Sequence, residues 1–309
     1  MAAASEVLLR SPQGSKSSTE LIMSLRSHLR SLPPSPPPSP PSLSSFSAAA
    51  ALKSRPLYLP QPLMVDWLRE GRGEYDVTVK LFHLAAAPPA AHGAHMRDAI
   101  KHVLATLGIS TIDLAVLSLP GISFNAEDDD DSDDGDLVLR DDVTTDSASS
   151  DGSDSANAST DGGSLDAEVS SWLKTYAALE ELHDSGVVTK LGISEFGTGR
   201  LARLLAHARV RPAVDQINVR DCCVVPRPLI LLAREQGIEL LTHNDSPDVL
   251  PADVLRRMLV DEFGVALPRP GAQVLPQWVA KYTAVVRSRG VVENKGSFLP
   301  SLQPTPLLL

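Results

Sequence analysis

Two adjacent thiols, Cys222 and Cys223, are the side chains of this sequence with the widest range of possible chemistry. Thiolates bind soft metals and respond to oxidation, and a neutral cysteine packs like a small apolar residue. Adjacent cysteines cannot easily fill two corners of a tetrahedral metal site, and with His243 they give at most three weakly arranged ligands. We therefore expect no metal. Three roles of the cysteines stay open: packing beside a helix N-terminus, response to oxidation, and contact with a partner protein.

A second polar group follows an apolar stretch at residues 238–242, where His243, Asn244 and Asp245 stand in succession. Asn and Asp commonly form turns and cap the first turn of a helix. The simplest interpretation is a turn that N-caps the next helix. The alternative is that these side chains, like the two cysteines, contact a partner protein.

The elements that must position these residues are strands and helices in alternation. Strands are predicted at residues 77–82, 113–119, 190–194, 213–218, 238–242 and within 285–292. The helix predicted at residues 97–108 ends at Gly108, because glycine adopts the left-handed conformation that stops a helix. Trp278 and Tyr282 stand at helical spacing, and we expect both to face the core.

This alternation predicts a parallel sheet covered by helices. An open doubly wound sheet and a (β/α) barrel both fit the pattern. No Gly-x-Gly-x-x-Gly motif follows the first strand, so a dinucleotide-binding open sheet loses its main support. We expect an α/β fold, a degenerate (β/α)8 TIM barrel over residues 57–298.

Two segments are predicted to be disordered. Residues 1–56 form a Ser/Pro-rich tail with one short amphipathic helix near residues 21–32, and residues 125–166 form an acidic insert. The chain carries a formal net charge of −10, and this insert accounts for it, since the remainder is slightly basic. Such composition buries too little apolar surface to offset the entropy of ordering. A C-terminal tail is expected at residues 299–309.

Composition also restricts the expected cellular compartment and the classes of partner that the chain can bind. The two cysteines are adjacent and the only ones among 309 residues, so no disulfide framework can form and a cytoplasmic protein is expected. No apolar run is long enough for a transmembrane helix. The sequence lacks a basic stripe interleaved with aromatic residues, so nucleic-acid binding is not predicted.

The order of the strands resembles that of the aldo-keto reductases. Lys80 in Val-Lys-Leu-Phe is similar to the catalytic lysine strand of that family, and Ser118 in Asp-Leu-Ala-Val-Leu-Ser-Leu-Pro stands where the family has its active-site histidine. Ser194 and Gln216 match positions that hold the nicotinamide amide, whereas Glu195 replaces the usual asparagine. These matches run in order over residues 77–292.

One branch of this superfamily is more similar. Cys-Cys-Val-Val-Pro at residues 222–226, Leu-Leu-Thr-His-Asn-Asp at residues 240–245 and Arg-Ser-Arg-Gly-Val-Val at residues 287–292 resemble the regulatory subunits of glutamate–cysteine ligase. The resemblance implies a protein that binds the catalytic subunit in a heterodimer, improves its use of glutamate and weakens feedback inhibition by glutathione.

The resemblance also implies that the chain does not catalyse carbonyl reduction. The family uses a tyrosine as general acid, with a lysine and an aspartate that lower its pKa. Only Lys80 is in place; the motif that supplies the aspartate and tyrosine does not precede it, and Asp66 and Tyr75 lack the spacing. Lys80 is then a structural relic that pairs with Asp113 or another carboxylate, and no cofactor is expected. The alternative is an NADPH-dependent aldo-keto reductase that acts on small carbonyl compounds.

Overall fold

The computed structural model describes residues 17–31, 68–124, 162–218, 225–246, 248–265, 273–299 and 303–305. The predicted tail at residues 1–56 lies outside the described residues except for helix α1 (Ser17–Ser31), which confirms the short helix expected there. The predicted acidic insert also lies outside them up to residue 161, and most of the C-terminal tail does so.

Five parallel strands form the larger part of one sheet. They are β1 (Tyr75–His83), β2 (Ile112–Ser118), β3 (Val188–Ser194), β4 (Val214–Asn218) and β5 (Glu239–His243). Each pairs in parallel with the next strand along the chain. The predicted parallel sheet is therefore confirmed, and the carboxyl ends of these strands meet at one edge.

An antiparallel hairpin extends the sheet beyond β1. Strand β7 (Trp278–Val286) pairs with β1, and β8 (Val291–Phe298) pairs with β7, which gives the order β5-β4-β3-β2-β1-β7-β8. The prediction of one last strand within residues 285–292 was wrong, because that segment contains the turn between two strands. Within the described residues the sheet stays open at β5 and β8, so the described chain is a half-barrel.

Trp278 and Tyr282 lie on strand β7, and both are buried. The expected core position is confirmed, but the helical spacing was misleading. Residues four apart share one face of a helix and also one face of a strand, since strand side chains alternate with a period of two. Strands β6 (Gln273–Leu275) and β9 (Gln303–Thr305) form a separate two-stranded sheet.

Four helices cover the outer face of the sheet. They are α2 (His92–Leu107), α3 (Gly162–Asp184), α4 (Thr198–His207) and α5 (Arg227–Gln236). Val77, Val79 and Leu81 alternate along β1 and are fully buried against this layer. Gly108 ends α2 at φ 66°, as its position predicted. No described helix combines the length and the apolar character that crossing a membrane requires.

The inner face of the sheet carries a second core. Helix α6 (Ala252–Arg256) continues into a π-helical segment (Arg257–Glu262), and both lie over this face together with α1. Phe82 and Val279, which are opposite each other in the β1–β7 register, are the sheet residues of this core. The inner face is the one on which Lys80 also lies, two residues before Phe82.

Asp113 does not pair with Lys80. Its carboxylate lies at the other end of β1, where it accepts hydrogen bonds from Arg72 at 2.6 Å, from Arg287 at 2.8 Å and from the Val77 amide at 2.7 Å. The sequence offered Asp113 as one candidate partner of Lys80, but the parallel register places it beside the start of β1. The alternative, another carboxylate, is correct.

Candidate functional site

Three charged side chains meet at the carboxyl ends of the parallel strands. Lys80 Nζ donates to Asp245 Oδ2 at 2.9 Å, and Lys281 Nζ donates to Asp245 Oδ1 at 2.8 Å. Lys80 and Lys281 are direct neighbours in the β1–β7 register, so both project from the same face. Asp245 lies two residues beyond β5, which is separated from β1 by three strands. Its contact with Lys80 therefore requires the sheet to curl around its inner face.

A histidine joins this group to the end of β3. His243 Nε2 lies 2.5 Å from Glu195 Oε1 and 3.3 Å from Ser194 Oγ, and its Nδ1 lies 3.3 Å from Asp245 Oδ2. Glu195 Oε2 also accepts the Phe124 amide at 2.7 Å. We call Lys80, Lys281, Asp245, His243 and Glu195 the strand-end network.

Asp245 is the centre of the strand-end network in charge as well as in position. Its side chain is only 9% exposed, and burial alone would raise the pKa of this carboxyl. The contacts with His243, Lys80 and Lys281 outweigh burial and lower the pKa of Asp245 well below its ordinary value. Burial lowers the pKa of Lys80, while the Asp245 carboxylate opposes that change. The pair is therefore a buried ion pair whose two members depend on each other.

His243 is also shifted. Burial acts to lower the pKa of the imidazole, but its bonds to Asp245 and Glu195 prevail, so the pKa is raised above 6.5. In the neutral ring Nδ1 can accept the Asp245 amide, which lies at 3.1 Å. In the protonated ring Nδ1 instead donates to the Asp245 carboxylate. The two carboxylates thus favour the charged imidazole.

Glu195 is held in an uncommon backbone conformation. Its φ is 70°, the one positive value among the described non-glycine residues. Asparagine tolerates this left-handed region better than glutamate does, and asparagine is what the resemblance leads one to expect at this position. The strain, on the order of 1–3 kcal/mol, is offset by the bonds of Glu195 to His243 and Phe124.

The predicted site residues are only partly brought together. Ser194 Oγ donates to the Gln216 carbonyl at 3.1 Å, beside His243. Ser118 ends β2 opposite Phe82 and is half-buried. Asn244 is exposed between His243 and Asp245. The expectation that this triplet caps a helix was wrong, because Asp245 enters the strand-end network and α6 begins later, at Ala252.

Other candidates lie elsewhere or outside the described residues. Cys222, Cys223 and Asp66 are outside them. Tyr75 lies at the opposite end of β1 from Lys80, and its hydroxyl donates to Glu293 at 2.9 Å. The hydroxyls of Tyr176 and Tyr282 donate to the Val210 carbonyl and to Asn294. In the described ranges no group of three His, Cys, Asp or Glu side chains is arranged to hold a metal ion.

Lys281 was missed by sequence reasoning, and Glu195 was noticed only as a replacement. Lys281 stands inside the apolar run of β7, two residues after the buried Val279. A charged residue on the buried face of a strand indicates a paired charge. The helical interpretation of Trp278 and Tyr282 concealed this signal.

Replacing His243 by leucine should destabilise the fold more at pH 6 than at pH 9. A raised pKa in the folded state contributes stability that is complete below the unfolded pKa and is lost as pH rises through the folded pKa. We expect a loss of about 1–3 kcal/mol at pH 6, typical of hydrogen bonds to charged groups. Urea unfolding at both pH values measures it. His243→Gln, which keeps a polar group without the charge, should show the same trend, and equal losses at both pH values would contradict the assignment.

Comparison with known proteins gives the family. The sequence profile described as the aldo/keto reductase family matches residues 57–244. The chain is also 31% identical over 120 residues to an NADPH-dependent D-xylose reductase from Candida boidinii, a match that covers 35% of this chain and 37% of that protein.

Two relatives carry a different name. The chain is 34% identical over 122 residues to the glutamate–cysteine ligase regulatory subunit of Rattus norvegicus, which covers 39% of this chain and 43% of the relative. It is 28% identical over 247 residues to a protein of Schizosaccharomyces pombe provisionally named as such a subunit, over 78% of this chain and 75% of the relative. The chain thus matches less than half the length of the rat protein.

Proposed function

This chain belongs to the aldo/keto reductase family, and we propose that within it the chain is a non-catalytic regulatory subunit that binds and activates the catalytic subunit of glutamate–cysteine ligase. The names of its relatives support this proposal. The Schizosaccharomyces pombe relative extends the similarity over 78% of the chain. The proposed activity therefore belongs to glutathione synthesis rather than to carbonyl reduction.

The observation that carries the proposal is the pairing of Lys80. In a reductase the resemblance assigns this lysine to the activation of a tyrosine acid. Here its ammonium donates to Asp245, whose second oxygen is held by Lys281. A buried ammonium that is paired in this way stabilises the strand ends. The hydroxyls of the described tyrosines, Tyr75, Tyr176 and Tyr282, bond other groups, so none of them receives the Lys80 ammonium as a partner. We infer that Lys80 is structural.

The same site suits a nicotinamide poorly. The position that would face the carboxamide holds the Glu195 carboxylate, which is already bound to His243 and to the Phe124 amide. An anionic, largely buried group in this place replaces a neutral amide that could both donate and accept. We propose that the chain needs no NADPH, and that the bonds that would hold a cofactor hold the strand ends instead.

Regulation by such a subunit is a matter of differential binding. A protein without a reactive group changes an enzyme only if it binds one conformation of that enzyme more tightly than another. Asn244, which is exposed beside the strand-end network, is a candidate contact, as are Cys222 and Cys223. We place this heterodimer in the cytoplasm, in keeping with two adjacent cysteines and no disulfide framework.

The proposal predicts a stable complex of the full chain with the catalytic subunit of glutamate–cysteine ligase. Sedimentation velocity of the two purified proteins should show a one-to-one species that neither forms alone. Asn244→Trp places a bulky ring at the exposed candidate position and should weaken the complex, whereas Ser185→Trp, at the amino-terminal side of the sheet, should not. Independent sedimentation of the two proteins at micromolar concentration would contradict the proposal.

A reductase is the second candidate, because Lys80 is retained and the chain is similar to a named reductase. A titration of tryptophan fluorescence with NADPH and an assay of carbonyl reduction distinguish the two. We expect no turnover above the level of a Lys80→Met variant. Turnover that disappears in Lys80→Met would establish the enzyme and reject the regulator.

A further inference from the structure

Helix α1 occupies the inner face of the half-barrel with one apolar side. Leu21, Leu25 and Leu29 recur every four residues, and each is at most 7% exposed. They pack in the core that contains Phe82, Val279 and the residues of α6 and the π-helical segment. Met23, on the other side of the helix, is 55% exposed. Helix α1 is therefore a two-sided helix seated in an apolar groove.

Two ion pairs fix the position of α1 along this groove. Arg26 donates to both oxygens of Glu262, at 2.7 and 2.8 Å, and Lys295 Nζ donates to Glu20 at 2.5 Å. Glu262 ends the π-helical segment, whereas Lys295 lies on β8. The groove thus presents an anion at one rim and a cation at the other, and α1 carries the complementary charges.

The attachment of α1 is confined to side chains. Between α1 and the rest of the described chain there is no backbone–backbone hydrogen bond. In sequence it is joined to the sheet through residues 32–67, a connection long enough for the helix to leave the groove without breaking the chain. A helix of 15 residues is marginal in water and depends on the face against which it packs.

We propose that the inner face is a groove that binds an amphipathic helix of another protein. Helix α1 occupies this groove in the free chain, and the partner helix displaces it while α1 stays tethered to the chain. The partner helix that fits the groove carries aliphatic residues at positions i, i+4 and i+8. It also carries a carboxylate at i−1 and a cation at i+5, as Glu20 and Arg26 do in α1. This inference does not depend on the proposed function, since the groove is defined by α1 itself.

The groove is also connected to the strand-end network. Phe82, part of the groove floor, lies with its ring centroid 5.2 Å from the ammonium of Lys80. Phe82 therefore lies between the groove and the Lys80–Asp245 pair.

A charge exchange in the full chain tests the proposal. The probe is a fluorescent synthetic peptide of residues 17–31, added to the wild type, to Arg26→Glu and to Arg26→Glu/Glu262→Arg. In Arg26→Glu the new carboxylate repels Glu262, which weakens the hold on the chain's own helix and leaves Glu262 available to Arg26 of the peptide. This variant should bind the peptide on the order of tenfold more tightly than the wild type does. The double exchange restores the chain's own pair and places a cation against Arg26 of the peptide, so binding should fall below the wild-type level.

Two controls make the result decisive. A peptide with Leu25→Glu should not bind any of the three proteins. In the wild type, α1 amides should exchange hydrogen about 100-fold faster than those of β1, as expected of a helix that leaves without global unfolding. Equal binding of the peptide to all three proteins, equal binding of the Leu25→Glu peptide, protection of α1 equal to that of β1, or global unfolding of Arg26→Glu would each overturn the proposal.

Discussion

The Asp245→Ala variant is expected to lose about 3–5 kcal/mol of unfolding free energy, the cost of leaving a buried charge without its partner. Lys80 is 7% exposed and its ammonium donates to Asp245. Without the carboxylate this charge has no counter-ion at 2.9 Å and no ready access to water. Lys281 is more exposed and can turn toward solvent, so most of the loss arises at Lys80. Urea unfolding at pH 7 measures the change.

A double variant separates the buried charge from the packing. Asp245→Leu/Lys80→Met removes both members of the pair and should recover most of the stability, because an apolar pair avoids the desolvation of two ions. Asp253→Ala is the matched control: this carboxylate also bonds a basic side chain, Arg257 at 2.7 Å, but is 70% exposed, and its loss should barely be measurable. A loss below about 1 kcal/mol for Asp245→Ala would show that the strand-end network does not hold the fold.

The second large effect is the acid sensitivity of three clustered histidines. His83 stacks on His92 with ring centroids 3.9 Å apart, and His95 lies 6.3 Å away. His83 is 3% exposed, and neither of its ring nitrogens has a hydrogen-bond partner within the described residues. Burial, with the nearby His92 and His95, lowers the pKa of His83 from 6.5 to about 2. The folded protein therefore holds this ring neutral.

The sign of the pH dependence follows from this lowered pKa. The stability is present above the unfolded pKa of 6.5 and is lost as pH falls toward the folded value. At pH 5 the wild type should have lost about 2 kcal/mol through His83, because each pH unit below 6.5 costs ~1.4 kcal/mol. The lowered pKa values of His92 and His95 act in the same direction.

His83→Phe keeps a stacked ring that cannot be protonated. The variant should be close to wild type in stability at pH 8 and more stable than wild type at pH 5, as measured by urea unfolding across that range. His207→Phe is the control. His207 is exposed, so this substitution removes no buried ring nitrogen and should leave the acid profile of the wild type unchanged. If His83→Phe followed the acid profile of the wild type, the neutral buried ring would be the wrong description.

The positions of the strands could be predicted because apolar runs and their breaks report burial directly. The same patterns placed Lys80 within a strand and Ser194 at the end of one, where they are found. The partner of Lys80 could not be predicted, because Asp245 is 165 residues away in sequence and meets it only through the curl of the sheet. Hydrophobic periodicity gives the faces of a strand but not how far a sheet bends.

Strand β7 shows a different limit. Trp278 and Tyr282 face one side whether the segment is a helix or a strand, so their spacing alone could not decide between the two. Val279 and Lys281 alternate with these two aromatic residues, and this period of two is the signal that indicates a strand. Helix α1 shows a third limit: its amphipathic pattern predicted the helix, but no local signal indicates the groove in which Leu25 is buried.

We propose that a reductase-like fold here acts by contact with another polypeptide, while Lys80 serves only to hold the strand ends. Steady-state kinetics of the catalytic subunit of glutamate–cysteine ligase, with and without a saturating amount of this chain, test it most directly. We predict a lower KM for glutamate or a higher Ki for glutathione, with Lys80→Met acting like the wild type. Both constants unchanged at saturation would contradict the account.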